Sequence, residues 1–203
     1  MGVKILAKPA PKAGSIRAIP KAFRHVAMYL QSQADKRIKN SIPPPNSSLT
    51  TCVKKGNLTL RDSGALMRSI APHSGDLWAD CSTNLKQARI LQYGGTIKAK
   101  GKTLWIPAGP ETRRRMKGLT ISQMLQQMKS DGWKFFKKGK LFCASRRNKS
   151  GKREELALFI LKDSIVIPAR PFLHIDQKNE RYILHYLGTE ISHALHPGKG
   201  GAS

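Results

Sequence analysis

Asp62-Ser63-Gly64 is the stretch of this 203-residue sequence closest to a catalytic signature. An Asp-Ser/Thr-Gly turn is how aspartic proteases place a carboxylate where two such loops share a proton and activate water. That geometry needs the aspartate to end a buried strand. Here Arg61 precedes it, and Leu66, Met67 and Ile70 follow as a helical pattern, so the triplet reads as the N-terminal cap of a short helix. Other candidates carry less. His193 and His196 stand three apart, but no acidic or cysteine ligand has matching spacing, and Pro197 interrupts the pattern. His174 lies in an apolar run and reads as a structural histidine. No serine occupies a GxSxG elbow, and Gly198-Lys199 lacks the glycine loop of a phosphate cradle. No catalytic residue, cofactor site or metal ligand is assigned, and the chain reads as a non-enzyme.

Charge carries more information. The chain holds 37 Lys and Arg against 12 Asp and Glu, a formal net charge of +25. Such an excess calls for a polyanionic neighbour, whether nucleic acid, a membrane face or an acidic protein. Residues 96–153 concentrate it, with 17 Lys and Arg against Glu111 and Asp131 alone. Within that stretch the clusters Arg113, Arg114 and Arg115, and Arg146, Arg147 and Lys149, are the candidate contacts to DNA or to a partner protein. Trp105, Trp133, Phe135, Phe136 and Phe142 lie among the basic residues. Two readings stay open for these aromatics: stacking on bases in a single-stranded groove, or the apolar face of a small β-rich insertion. Solubility alone does not explain the surplus charge, because a solvated face gains from mixed signs.

The elements that must position these residues follow from periodicity. A helix is expected from Pro20 to no further than Ile42, with Phe23, Val26, Ala27, Leu30, Ala34 and Ile38 on one face and three prolines ending it. A loop to about Leu58 is expected next, then a short helix over residues 61–70 and a strand over 77–81. A helix over 85–93 follows, terminated by Gly94 and Gly95. Strands are expected at 103–107, 133–137 and 140–145, the last two as a hairpin, with a helix over 122–129 among them. Strands at 156–161 and 164–167 precede a final helix capped by Asp176 and ending at Pro197. No βαβ alternation is present, so the expected class is α+β: a mixed or antiparallel sheet packed by an N-terminal and a C-terminal helix, with a basic β-rich insertion.

The expected organisation is a flexible basic arm over residues 1–15, a single α+β domain over 16–195 that contains the insertion at 96–153, and a flexible tail over 196–203. No apolar run approaches the roughly 18 residues of a membrane span, and Met1 to Lys12 carries lysines and prolines where a signal peptide needs an apolar stretch. Cys52, Cys81 and Cys143 are far apart and odd in number, which suits reduced thiols in a cytosol rather than a disulfide framework.

Three blocks in order are similar to a known family. Thr50-Thr51 with Lys54-Lys55-Gly56, followed by Leu60-Arg61-Asp62-Ser63-Gly64-Ala65-Leu66 and Ser69-Ile70, resembles the first block of phage virion morphogenesis proteins of the Mu-type tail completion family. Ala88-Arg89-Ile90-Leu91-Gln92-Tyr93-Gly94-Gly95 resembles the second, and Val166-Ile167-Pro168-Ala169-Arg170-Pro171-Phe172-Leu173 the third and most specific. The sequence departs from the family pattern in having no Tyr before Ala88, no His before Gln92, and a longer basic stretch. The resemblance implies a structural virion protein that completes the head-proximal end of the tail and helps join tail to head. It implies a ring of copies around the DNA channel, commonly six. The implied partners are the tail tube, the neck and connector proteins and the packaged DNA, with no membrane. The implied location is the tail-neck region of the virion, and the host cytoplasm during assembly. In this reading Asp62, Ser63, Gly64, Gly94, Gly95, Pro168, Arg170, Pro171 and Phe172 are structural motif residues. Arg170 is expected to hold a turn or a subunit contact through its planar fork of donors, and Phe172 to enter the core. The alternative is a sequence-nonspecific nucleic-acid-binding module that uses the basic aromatic insertion directly.

Overall fold

In a computed structural model of the chain, residues 2–6, 18–54, 56–148 and 150–195 are described. They divide between two compact units, one within Met1–Pro44, Leu58–Gly94 and Pro168–Ser203, the other within Pro45–Asn57 and Gly95–Ile167. The class is α+β, with antiparallel sheets and helices near both ends of the chain. These two units lie within the single domain expected over residues 16–195, apart from residues 2–6. The second is broader than the basic insertion, because it also takes in residues 45–57 and extends to Ile167.

In the first unit, helix α1 (Ala18–Lys39) buries Ile19, Phe23, Val26, Leu30 and Ile38 along one stripe, the three- and four-residue spacing of the sequence made physical. Each such side chain contributes about 1.5 to 3 kcal/mol when fully buried. Lys36, Arg37 and Lys39 in its last turn face the negative end of the helix dipole. The helix packs on a three-stranded antiparallel sheet of order β1-β3-β2, formed by β1 (Gly2–Leu6), β2 (Ile70–Ser74) and β3 (Trp78–Thr83). It packs also on helix α7 (Gln177–Leu195). Asp176 caps α7 by accepting from the Asn179 backbone N–H at 2.8 Å.

Three expectations change here. Residues 2–6 form a strand where an arm was expected: Lys4 pairs with Asp80 and Ile5 with Ala79, and Ile5 packs on the core. Gly2 is required there, since a Cβ would come within 2.5 Å of the Asp80 Oδ1. The expected flexibility of residues 7–15 and 196–203 lies outside the described residues. The short helix is only α3 (Ala65–Ser69), and its N-cap is Gly64 at φ 76° rather than Asp62 or Ser63. Finally, Ile70 leaves the helix and starts β2, a strand whose Pro72 confines it to an edge position.

The second unit is built on a four-stranded antiparallel sheet of order β5-β8-β7-β6. Its strands are β5 (Leu104–Pro107), β6 (Lys134–Lys138), β7 (Leu141–Arg147) and β8 (Arg153–Lys162). β4 (Gly95–Lys98) and β9 (Ser164–Ile167) make a separate antiparallel ribbon. The hairpin of β6 and β7 turns at Gly139, φ 59°, a left-handed position that glycine takes at no steric cost. Helix α6 (Ile121–Ser130) begins with a capping box between Thr120 and Gln123, and its Met124 and Met128 meet Trp133, Ala144, Leu158, Phe159 and Leu161 in a core of their own. Two helices stand where loop or strand was expected. They are α2 (Ser48–Val53), capped by the Ser47 hydroxyl, and α5 (Pro110–Arg115), which has Pro110 at its start and Glu111 in its first turn.

Candidate functional site

The second and third motif blocks meet in one hydrogen-bonded assembly. Helix α4 (Ala88–Tyr93) turns Ala88 and Gln92, four apart and so on one face, into the interior. The Gln92 Oε1 accepts from the backbone N–H groups of Phe172 and Leu173, both at 2.9 Å, and its Nε2 donates to the Leu173 carbonyl at 2.7 Å. Gln92 is 5% exposed and Phe172 fully buried. A buried carboxamide is thereby matched to three backbone groups of a segment that has no ladder partner. One residue earlier, the Leu91 carbonyl accepts from the Arg170 backbone N–H at 2.8 Å. Gly94 ends α4 at φ 70° and Gly95 follows at φ 146°, two positive angles that a side chain would oppose.

Arg170 closes the arrangement from the other side. Its Nε and Nη2 donate to the Pro44 carbonyl at 3.0 and 2.8 Å, and its buried position pushes its pKa down. Pro168 and Pro171 flank it where the chain has no strand pairing. Asp62, Ser63 and Gly64 form the exposed turn before α3, with the Ser63 hydroxyl accepting from the Ala65 N–H at 3.4 Å. Gln92 is the residue that sequence reasoning missed as a hub. Its signal was a polar residue four positions after Ala88, on the inner side of a short apolar helix.

The chain matches no family model, no curated protein and no solved structure.

The candidate contacts of the second unit are distributed differently. Arg114 and Arg115 both pair with Glu111 of their own helix, and Arg113 is exposed and reaches the Val53 carbonyl at 3.5 Å. Arg146 pairs with Glu154 on the adjoining strand at 2.9 Å. Arg115 and Arg146 are brought together: their guanidinium carbons lie 5.7 and 4.6 Å from the ring centroid of buried Trp133. Arg147 is exposed opposite Arg153, which pairs with Glu155. Lys149 lies outside the described residues. Of the aromatics, Trp133 is buried, Phe135, Phe136 and Phe142 are half-buried, and Trp105 is exposed. Trp105 packs on Phe142 and Phe159 at 4.8 and 5.3 Å between centroids, and Phe135 stacks on Phe142 at 5.7 Å.

Among the described residues there is no group of three or more His, Cys, Asp or Glu side chains that could hold a metal ion, and no helix long and apolar enough to cross a membrane.

Proposed function

We propose that this chain is a structural protein of a tailed-phage virion, completing the head-proximal end of the tail and helping to join it to the head as one subunit of a ring around the DNA channel. The observation that carries the reading is the Gln92 assembly. Two of the three blocks that carry the family resemblance hold each other through buried hydrogen bonds, which gives these residues a part in the fold. The exposed apolar residues of the first unit support assembly with further copies. Leu184 of α7 is 65% exposed and Met28 of α1 56%, and Leu184 borders a groove with Ile5, Ile175 and Ile183.

The test is genetic. Particles produced without this protein should accumulate as filled heads and separate tails, and supplying the purified chain should restore joining. Normal joining in its absence would overturn the role. A nucleic-acid-binding module is the competing reading, and the exposed lysines of the second unit are what favours it.

A further inference from the structure

The topology of the second unit sorts its positive charge into two populations. At one end of the four-stranded sheet stand the arginines of α5, β7 and β8, of which Arg114, Arg115, Arg146 and Arg153 are tied to Glu111, Glu154 and Glu155. At the opposite end β5 starts, β8 ends, β7 starts and β6 ends, as the pairings of Leu104 with Lys162, Leu141 with Ile160 and Lys138 with Leu141 require. The connection from β4 to β5 is drawn to the same end, because Lys98 pairs with Ser164 and the Ala99 N–H donates to the Asp163 carbonyl at 2.9 Å. The Leu161 N–H donates to the Lys140 carbonyl at 2.7 Å, fixing the hairpin turn beside the end of β8.

Three separate stretches of chain thus deliver Lys98, Lys100, Lys102, Lys137, Lys138, Lys140 and Lys162 to one rim. All seven are exposed, and among the described residues none has an acidic side chain within ion-pair distance. A surface groove at this rim is bordered by Thr103, Lys137, Lys140, Lys162, Asp163 and Ser164, so one carboxylate stands among the lysines.

We infer that this lysine rim, rather than the arginine clusters, is the surface on which the chain holds duplex DNA by its phosphates. Two physical points select the partner. Protein–protein interfaces are depleted in lysine and centre on aromatic and apolar anchors, whereas all seven basic residues of this rim are lysines. An ammonium on a flexible stem is a point charge with rotatable donors, suited to a phosphate backbone without reading base edges. At the other end Arg114, Arg115, Arg146 and Arg153 already pair with carboxylates, and Arg115 and Arg146 also lie against Trp133. The inference goes beyond the proposed tail-end role: a chain that binds duplex through this rim but never joins a particle would refute that role and leave this surface standing.

The experiment compares two variants of the full chain that each lose three charges, Lys137→Gln/Lys140→Gln/Lys162→Gln and Arg113→Gln/Arg114→Gln/Arg115→Gln, binding short duplexes of unrelated sequence over a range of salt. Each phosphate that a variant no longer neutralises lowers the salt slope by about 0.9. The lysine variant should lose up to about 2.7 from its slope, equally for every duplex, and the arginine variant no more than about 0.9. Equal losses would mean that net charge alone is read, and would overturn the assignment. An unchanged slope with joining of particles lost would place an acidic protein on the rim and would overturn it too. A companion measurement needs no variant: duplex DNA should shield Lys137, Lys140 and Lys162 of the unaltered chain from an amine-reactive reagent, and their full labelling in the presence of DNA would equally refute the surface.

Discussion

Gln92 and Leu173 hold each other through both backbone groups of Leu173: the Leu173 N–H donates to the Gln92 Oε1 at 2.9 Å, and the Gln92 Nε2 donates to the Leu173 carbonyl at 2.7 Å. The two residues are 81 positions apart. A carboxamide has a donor and an acceptor side by side and here completes a strand-like pairing that no neighbouring strand supplies. The backbone N–H groups of Arg170, Phe172 and Leu173 are all paired.

Replacing Gln92 by Leu, which keeps the bulk, should thus be costly. It leaves two buried N–H groups and one carbonyl without partners, at about 1 to 3 kcal/mol for each buried group left unmade. A drop of at least about 3 kcal/mol in urea unfolding is expected. Gln92→Glu should fall between, since a carboxylate still accepts from Phe172 and Leu173 but cannot donate to the Leu173 carbonyl. A Leu variant as stable as the unaltered chain would show that water takes over these groups.

Phe172 is fully enclosed in the core that α1 and α7 share. Phe172→Ala should destabilise by about 3 to 5 kcal/mol through lost burial and the cavity left behind. The same change at Tyr93, which is 67% exposed, should cost well under half as much. Thermal melts of the two variants make the comparison, and equal losses would mean that Phe172 has no special place in the interior.

The cap of α7 gives a pH-dependent outcome. Donation from the Asn179 N–H, opposed by burial and reinforced by the Arg37 guanidinium at 2.8 Å, holds the Asp176 carboxyl below its ordinary range. A folded pKa below the unfolded one means that the contribution is present above the unfolded value, about 3.9, and is lost as pH falls through the folded value. Asp176→Ala should cost about 1 kcal/mol at neutral pH, with that deficit shrinking as the unaltered chain is titrated below about pH 4. Asp176→Asn should keep much of the cap. A deficit independent of pH would contradict the charge in this account.

The helices α1 and α7, the hairpin of β6 and β7, and β9 were legible because each carries its own periodicity or its own turn residue. The strand β1 was hidden because five residues of alternation sit beside lysines and prolines that read as an arm. β2 was hidden by Pro72, which argues against a strand unless its edge position is known. The arginines of α5 have no apolar stripe long enough to declare a helix, and only Pro110 with Glu111 signals its start. In the motif assembly, Arg170 and Phe172 stood out from their types, but the partner of each is set by long-range geometry: Pro44 is 126 residues from Arg170. The lysine rim was invisible for the same reason, since Lys162 lies outside the densest basic stretch and joins it only through sheet pairing.

Thiol chemistry offers a check of the two interiors. Cys81 is buried in the first unit, where burial, then Asp80 and Asp35, push its thiol up to about 12; Cys143 is buried in the second and Cys52 is exposed. A thiol reagent near neutral pH should label Cys52 within the folded chain and reach Cys81 and Cys143 only on unfolding. Rapid modification of all three would contradict the packing described.

The central claim, a structural role at the head-proximal end of a phage tail, is tested most directly by an electron cryomicroscopy map of the assembled particle. The account predicts density for this chain as a closed ring between tail tube and neck, with the Gln92 assembly inside each subunit and the lysine rim turned toward the DNA channel. A map in which the joined tail end contains no copy of the chain would contradict it.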